Sequence, residues 1–92
     1  MIELICDKVF KQIDFKKTKF EPSEYENCKF YSCDFSNCSL SNTIFSDCEF
    51  NDCNLSLAKL SETSFKNINF KNCKMLGLHF EDCNQFLFEV SF

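Results

Sequence analysis

The sequence predicts an all-β solenoid in which one chain coils through short extended segments around an inward-facing axis. Two periodic features predict it. A large apolar residue recurs at every fifth position from Phe15 to Phe80, and a small or medium uncharged residue stands two places before each of them. A third feature is the shortage of turn breakers, with Gly 1 and Pro 1 in 92 residues. The corners must then be turned by other residue types.

The large, central positions are Phe15, Phe20, Tyr25, Phe30, Phe35, Leu40, Phe45, Phe50, Leu55, Leu60, Phe65, Phe70, Met75 and Phe80, and Gln85 ends the run. The partner positions run from Ile13 to Cys83 and carry no charge, in a chain of which 26% is charged. A stride of five fits neither the 3.6 period of an α-helix nor the alternation of a continuous strand. It fits a short extended stretch followed by a corner. Centre and partner lie two apart and so point to one side, while the residue between them points to the other. Asn or Asp recurs at the corner, at Asn27, Asn37, Asn42, Asp47, Asp52, Asn67, Asn72 and Asp82, where its side chain can bond nearby backbone and tolerate unusual dihedrals.

Four such fives close a square coil of twenty residues, so residues twenty apart stack at the strand spacing of roughly 4.8 Å. Phe10, Phe30, Phe50 and Phe70 are expected in one inward column, and Cys33, Cys53 and Cys73 in another with Ile13. The rod is expected to be about 18 Å long at that spacing. One domain spans residues 1–92: an N-terminal cap over 1–12, with Ile2, Leu4, Cys6 and Val9 as its apolar surface, repeats over 13–85, and a C-terminal cap or interface segment over 86–92.

The cysteines admit three readings: disulfides, a metal site, or reduced core thiols. All but Cys6 share the register of five, and no CxxC pair is present. Reduced, buried thiols acting as small hydrophobes are therefore expected. Glu3, Asp7 and Lys8 interrupt the N-terminal residues, leaving no apolar stretch long enough for a signal peptide or a membrane span, so a cytoplasmic location is expected. All ten basic residues are Lys, and the formal net charge is -4. That composition argues against direct nucleic-acid binding, where guanidinium groups usually meet phosphates and guanine edges.

No catalytic constellation is visible. His79 is the only histidine and falls at an outward position, the repeat cysteines fall inward, and Gly77 stands alone rather than in a phosphate-binding loop. Neither enzymatic activity nor a cofactor or metal is expected. A binding role must use what points outward. Glu24, Glu26 and Asp47 are expected on one face, and Glu62, Glu81 and Asp82 on another. Tyr31, Ile44, Leu57 and Leu76 are the outward apolar residues, and Leu57 with Leu76 forms the candidate contact patch. The plainer alternative is a solvated wall with scattered lysines.

The run Asn27-Cys28-Lys29-Phe30-Tyr31-Ser32-Cys33-Asp34-Phe35-Ser36-Asn37-Cys38 resembles the A(D/N)LXX pattern of the pentapeptide-repeat family, from about Ile13 to Cys83. The resemblance implies a right-handed quadrilateral parallel β-helix of about four coils. Its Cys- and Phe-rich repeats are most similar to the N-terminal half of Qnr-type quinolone-resistance proteins, notably from Cys53-Asn54-Leu55-Ser56 through Met75-Leu76-Gly77-Leu78. That similarity implies a protein that binds DNA gyrase or topoisomerase IV as a mimic of duplex DNA, and a homodimer. Two differences stand beside it: the register here runs from Ile13 to Cys83 without an inserted loop, and Qnr-type chains are about twice as long.

Phe86, Phe88, Val90 and Phe92 alternate at the C-terminal end, and Val90-Ser91-Phe92 reads as a partner and centre displaced by two residues. Three explanations are open: a cap, a chain that continues in a longer protein, or an end-to-end contact between two copies. The contact is the favoured one. The competing reading of the whole is a structural or adaptor solenoid, a fragment of a longer repeat protein.

Overall fold

Every five residues the chain makes one short extended segment and then one left-handed corner. The computed structural model describes residues 3–15, 17, 20, 23–83 and 90–91. Its strands are β1 (Leu4–Cys6), β2 (Val9–Lys11), β3 (Glu24–Glu26), β4 (Lys29–Tyr31), β5 (Ile44–Ser46), β6 (Glu49–Asn51), β7 (Ser64–Lys66), β8 (Ile68–Lys71) and β9 (Val90–Ser91), with a single 3-10 turn at Phe80–Asp82. They form two parallel sheets, β1-β3-β5-β7 and β2-β4-β6-β8-β9. Tyr25 lies against Phe45 and Phe45 against Phe65, a constant offset of twenty. Isolated parallel bridges, Asp14 to Asp34 to Asn54 to Lys74 and Ser39 to Lys59, mark the other two sides of the coil. The protein is thus a four-sided parallel β-solenoid, and three full turns carry the chain from β1 to β7.

The corners explain why glycine is dispensable. Positive φ falls in the register of five, at residues that include Asp7, Asn27, Asn37, Asp47, Leu57, Asn67 and Gly77. On the two bridged sides these are the third residues of type II turns: the Cys38 N–H donates to Phe35 C=O at 3.0 Å and the Ala58 N–H to Leu55 C=O at 3.1 Å. That turn requires φ > 0 at its third position, which Asn and Asp tolerate best after glycine. On the strand and bridged sides alike the corner N–H also bonds to the next coil, as from Asn27 to Ser46 C=O at 2.9 Å and from Asn37 to Ser56 C=O at 3.0 Å.

Side chains at the centres fill the interior. Phe30, Phe35, Phe45, Phe50 and Phe65 are completely buried. Along the axis the rings stack, with Phe30 and Phe50 at 4.8 Å and 6° between planes. Around the axis they meet edge to face, as Phe45 meets Phe50 at 5.3 Å and 74°. Both arrangements suit the aromatic quadrupole.

The partner positions have a polar task as well as a packing one. Cys53 Sγ lies 3.4 Å from Phe30 C=O, Cys73 Sγ 3.2 Å from Phe50 C=O, and Thr63 Oγ1 donates to Leu40 C=O at 2.7 Å. Each reaches back across one coil to the carbonyl of a centre residue. A short side chain ending in S–H or O–H fits that gap. The structure joins none of the eight cysteines in a disulfide.

Three expectations need correction. Leu4, Cys6 and Val9 do not cover the N-terminal end; all three are exposed, and residues 3–12 form two sides of an ordinary first coil whose inward residues are Ile5 and Phe10. Asp82 is not a corner, because the register gives way there to the 3-10 turn. The body is as broad as it is tall, at 29 × 27 × 23 Å, so it is a block rather than a rod. Tyr31 and Ile44 stand on the outer face and are half-buried there.

Candidate interaction surface

The outward residues arrange themselves in columns. On the first sheet Leu4, Glu24, Ile44 and Ser64 form one column, and Cys6, Glu26, Ser46 and Lys66 the other. Glu26 is exposed and Glu24 half-buried. Asp47 stands at the corner beside this sheet rather than on it, in a column of Asp7, Asn27, Asp47 and Asn67, all with positive φ. Asn27 Nδ2 donates to Asp7 Oδ1 at 2.6 Å, and Asn67 Nδ2 to Asp47 Oδ1 at 2.7 Å. The alternation holds the two carboxylates two coils apart, about 10 Å by the strand spacing, close to the screening length in physiological salt. An acidic edge is thereby presented without direct repulsion. Asp7, Asn27 and Asn67 were missing from the expected set, although their spacing of twenty from Asp47 is legible.

The second sheet has mixed charge. Glu49 lies 3.9 Å from Lys29 Nζ and 3.8 Å from Lys71 Nζ, surface pairs of small energetic value. On the far side, the Glu62 N–H reaches Asp82 C=O at 3.4 Å, and Glu81 lies within the 3-10 turn that ends at Asp82. A hydrogen bond to its own backbone N–H, aided by His79 Nδ1 at 3.2 Å, holds the exposed Glu81 carboxyl below its ordinary pKa.

Leu57 and Leu76 come together. The Leu57 N–H donates to Leu76 C=O at 2.9 Å, and the side chains are 57% and 76% exposed. Leu57 holds φ 60, where a branched apolar residue is unfavourable by about 1–2 kcal/mol. Beside it a groove of about 380 Å³ is lined by Leu57, Lys59, Gly77, His79 and Asp82. The side chain lies over Gly77 but stays exposed at the edge of the groove, so burial does not account for the costly conformation.

The repeat thiols face inward while Cys6 is exposed. Burial pushes Cys48 up to about 12. Cys53, stacked between Cys33 and Cys73, is raised by its contacts with both and by burial, while the contact with Cys53 lowers Cys33 and Cys73 to about 7. Among the described residues no group of metal-ligating side chains comes together, and no helix is long and apolar enough to cross a membrane. Of the C-terminal residues, Phe86, Phe88 and Phe92 lie outside the described residues. Val90 is half-buried against the core and pairs with Ile68, an offset of twenty-two that places the two-residue displacement in the backbone.

A family model for the pentapeptide repeat region matches residues 20–86, the same stretch over which centre and partner alternate. The chain belongs to the pentapeptide-repeat family. No curated protein matches the sequence. Among solved structures, this pentapeptide-repeat protein is similar to full-length QnrB1, a plasmid-mediated fluoroquinolone resistance protein, with a TM-score of 0.65 and 25% identity over 84% of this chain. A trypsin-treated variant of QnrB1 gives a TM-score of 0.50 and 29% identity over 76% of this chain and 34% of that one. The chain spans about half the length of full-length QnrB1, 48%.

Proposed function

We propose that this pentapeptide-repeat protein is a non-enzymatic, cytoplasmic protein-binding module whose partner is a type II topoisomerase, DNA gyrase or topoisomerase IV, engaged in place of duplex DNA. The acidic corner carries this reading. Asp7 and Asp47 alternate with Asn27 and Asn67 along the solenoid axis, with Glu24 and Glu26 on the adjoining sheet, in a chain of formal net charge -4. Fixed carboxylates at regular spacing on a stiff wall offer a DNA-binding surface what a phosphate backbone offers. The likeness to a fluoroquinolone resistance protein supports the same choice of partner. The Leu57 and Leu76 pair supplies the apolar contact beside the charge, and self-association through Phe86, Phe88, Val90 and Phe92 belongs to this reading.

The test is a gyrase supercoiling assay with ciprofloxacin. Restored supercoiling with added protein, lost when Asp7 and Asp47 are both replaced by Lys, is expected; neither protection nor inhibition at any concentration would reject the proposal. A second reading, a structural or adaptor module within a longer repeat protein, is favoured by one observation. The chain matches only 48% of QnrB1. A native reading frame that continues the stride beyond Phe92 would support it.

A further inference from the structure

We propose that the N-terminal end of the solenoid is a self-complementary docking edge for a second copy of this chain, joined by antiparallel pairing of β1 with the partner copy's β2. β1 and β2 each end their sheet, with one neighbouring strand among the described residues. Their inner edges are used: the Glu24 N–H bonds to Glu3 C=O, the Asp7 N–H to Glu26 C=O, the Lys29 N–H to Lys8 C=O and the Gln12 N–H to Tyr31 C=O. By the alternation of a strand, the backbone groups of Leu4, Cys6, Val9 and Lys11 therefore point away from the body. Such a row of donors and acceptors is a template for pairing.

The register of the pairing follows from symmetry. A two-fold axis perpendicular to the solenoid, through the corner between Asp7 and Lys8, lays β1 of each copy antiparallel on β2 of the other. Leu4 then faces Lys11, Cys6 faces Val9, Ile5 faces Phe10 and Asp7 faces Lys8. All four relationships are favourable together. The first two pairs are those whose backbone groups point outward, so each makes hydrogen bonds across the junction. Ile5 and Phe10, both half-buried at the open end of the core, continue the inward column. Leu4 and Val9, which are 56% and 55% exposed, lie on the same outer surface and shelter one another diagonally. Asp7 and Lys8 meet their opposites twice, once on each side of the axis. Charges on an edge strand often keep other strands away, but here opposite signs face each other.

By itself an isologous contact of this kind closes at a dimer, and joined to the C-terminal self-association proposed above it would extend to a chain of copies. Sedimentation velocity on the full chain over a range of concentrations, with hydrogen exchange on the same samples, tests it. Reversible self-association is expected, with amides of Leu4, Cys6, Val9 and Lys11 slowing as concentration rises while those of Ile5 and Phe10 do not change. Lys8→Glu places like charges across the axis and should weaken the dimer by about tenfold or more; adding Asp7→Lys to it restores opposite signs and most of the affinity. A monomer at every concentration overturns the proposal. So does a dimer indifferent to Lys8→Glu, which would place the contact at another surface. If the variants fold poorly, the exchange pattern of the unaltered chain decides alone, and amides independent of concentration overturn the proposal.

Discussion

A Cβ added to Gly77 would sit 2.6 Å from Leu57 Cδ2, so the leucine of one coil covers the bare backbone of the next. Gly77 also holds φ 67, and the two effects differ in cost. The exposed leucine can swing aside, whereas the left-handed backbone cannot be avoided. Gly77→Ala is therefore expected to destabilise by about 1–2 kcal/mol, and Leu57→Ala in the same background to recover only a minor part. Urea melts of the single and double variants give the coupling directly.

Leu57→Asn tests whether the leucine is kept for contact rather than for stability. Asn is more tolerant of the left-handed region, and Leu57 contributes little burial at 57% exposure. The variant should be more stable by roughly 0.5–1 kcal/mol and weaker in the gyrase protection assay. Unchanged protection would remove Leu57 from the contact surface.

Phe50→Ala opens a cavity between Phe30 and Phe70, its neighbours in the column at 4.8 and 5.1 Å. The loss should be about 3–5 kcal/mol, read as a fall in the denaturation midpoint. A surface change such as Lys59→Ala should leave that midpoint nearly unmoved.

Stability should fall as pH rises above about 10. Cys48 and Cys83 are pushed up to about 12 by burial, so the folded chain keeps protons that the unfolded chain releases near the ordinary thiol pKa of 9.0. Fewer protons bound by the unfolded state mean a negative slope of stability against pH. The contribution is fully present below pH 9 and lost as pH approaches 12. Cys33 and Cys73, lowered to about 7, act in the opposite direction until the unfolded thiols have ionised, so the fall stands alone only above about pH 10. Melting temperatures at pH 10 and pH 11 suffice to check the sign.

Thiol labelling should rank the cysteines. Cys6 is exposed and Cys73 half-buried with a lowered pKa, whereas Cys48 and Cys53 are buried and raised. Reactivity follows the accessible thiolate. Iodoacetamide followed by peptide mass analysis is expected to find Cys6 and Cys73 modified well before Cys48 and Cys53.

The stride was legible because only inward positions are constrained: Phe30, Phe50 and Cys53 announce themselves by never becoming charged. The corner at Leu57 was legible by register but not by residue type, since nothing in a leucine suggests a left-handed backbone. Asp82 misled for the opposite reason; its residue type suits a corner, yet the coil ends in a 3-10 turn at Phe80–Asp82. The bonds from Cys53 to Phe30 C=O and from Cys73 to Phe50 C=O join residues twenty-three apart and appear only once the coils are stacked. Within the candidate surface, Leu57 and Leu76 stand on adjacent coils joined by a backbone bond, while Asp47 stands at the corner rather than on a sheet because its column, not its face, is set by the period of twenty. Leu4 and Val9 read as a cap from composition alone, and only the strand alternation turns them outward.

The most direct test of the stacked solenoid is an aromatic nuclear Overhauser spectrum of phenylalanine-labelled protein. Ring-to-ring contacts between Phe30 and Phe50 and between Phe50 and Phe70, residues twenty apart in sequence, are predicted from centroids at 4.8 and 5.1 Å. Their absence, with solvent-accessible Phe50 ring protons, would contradict the account.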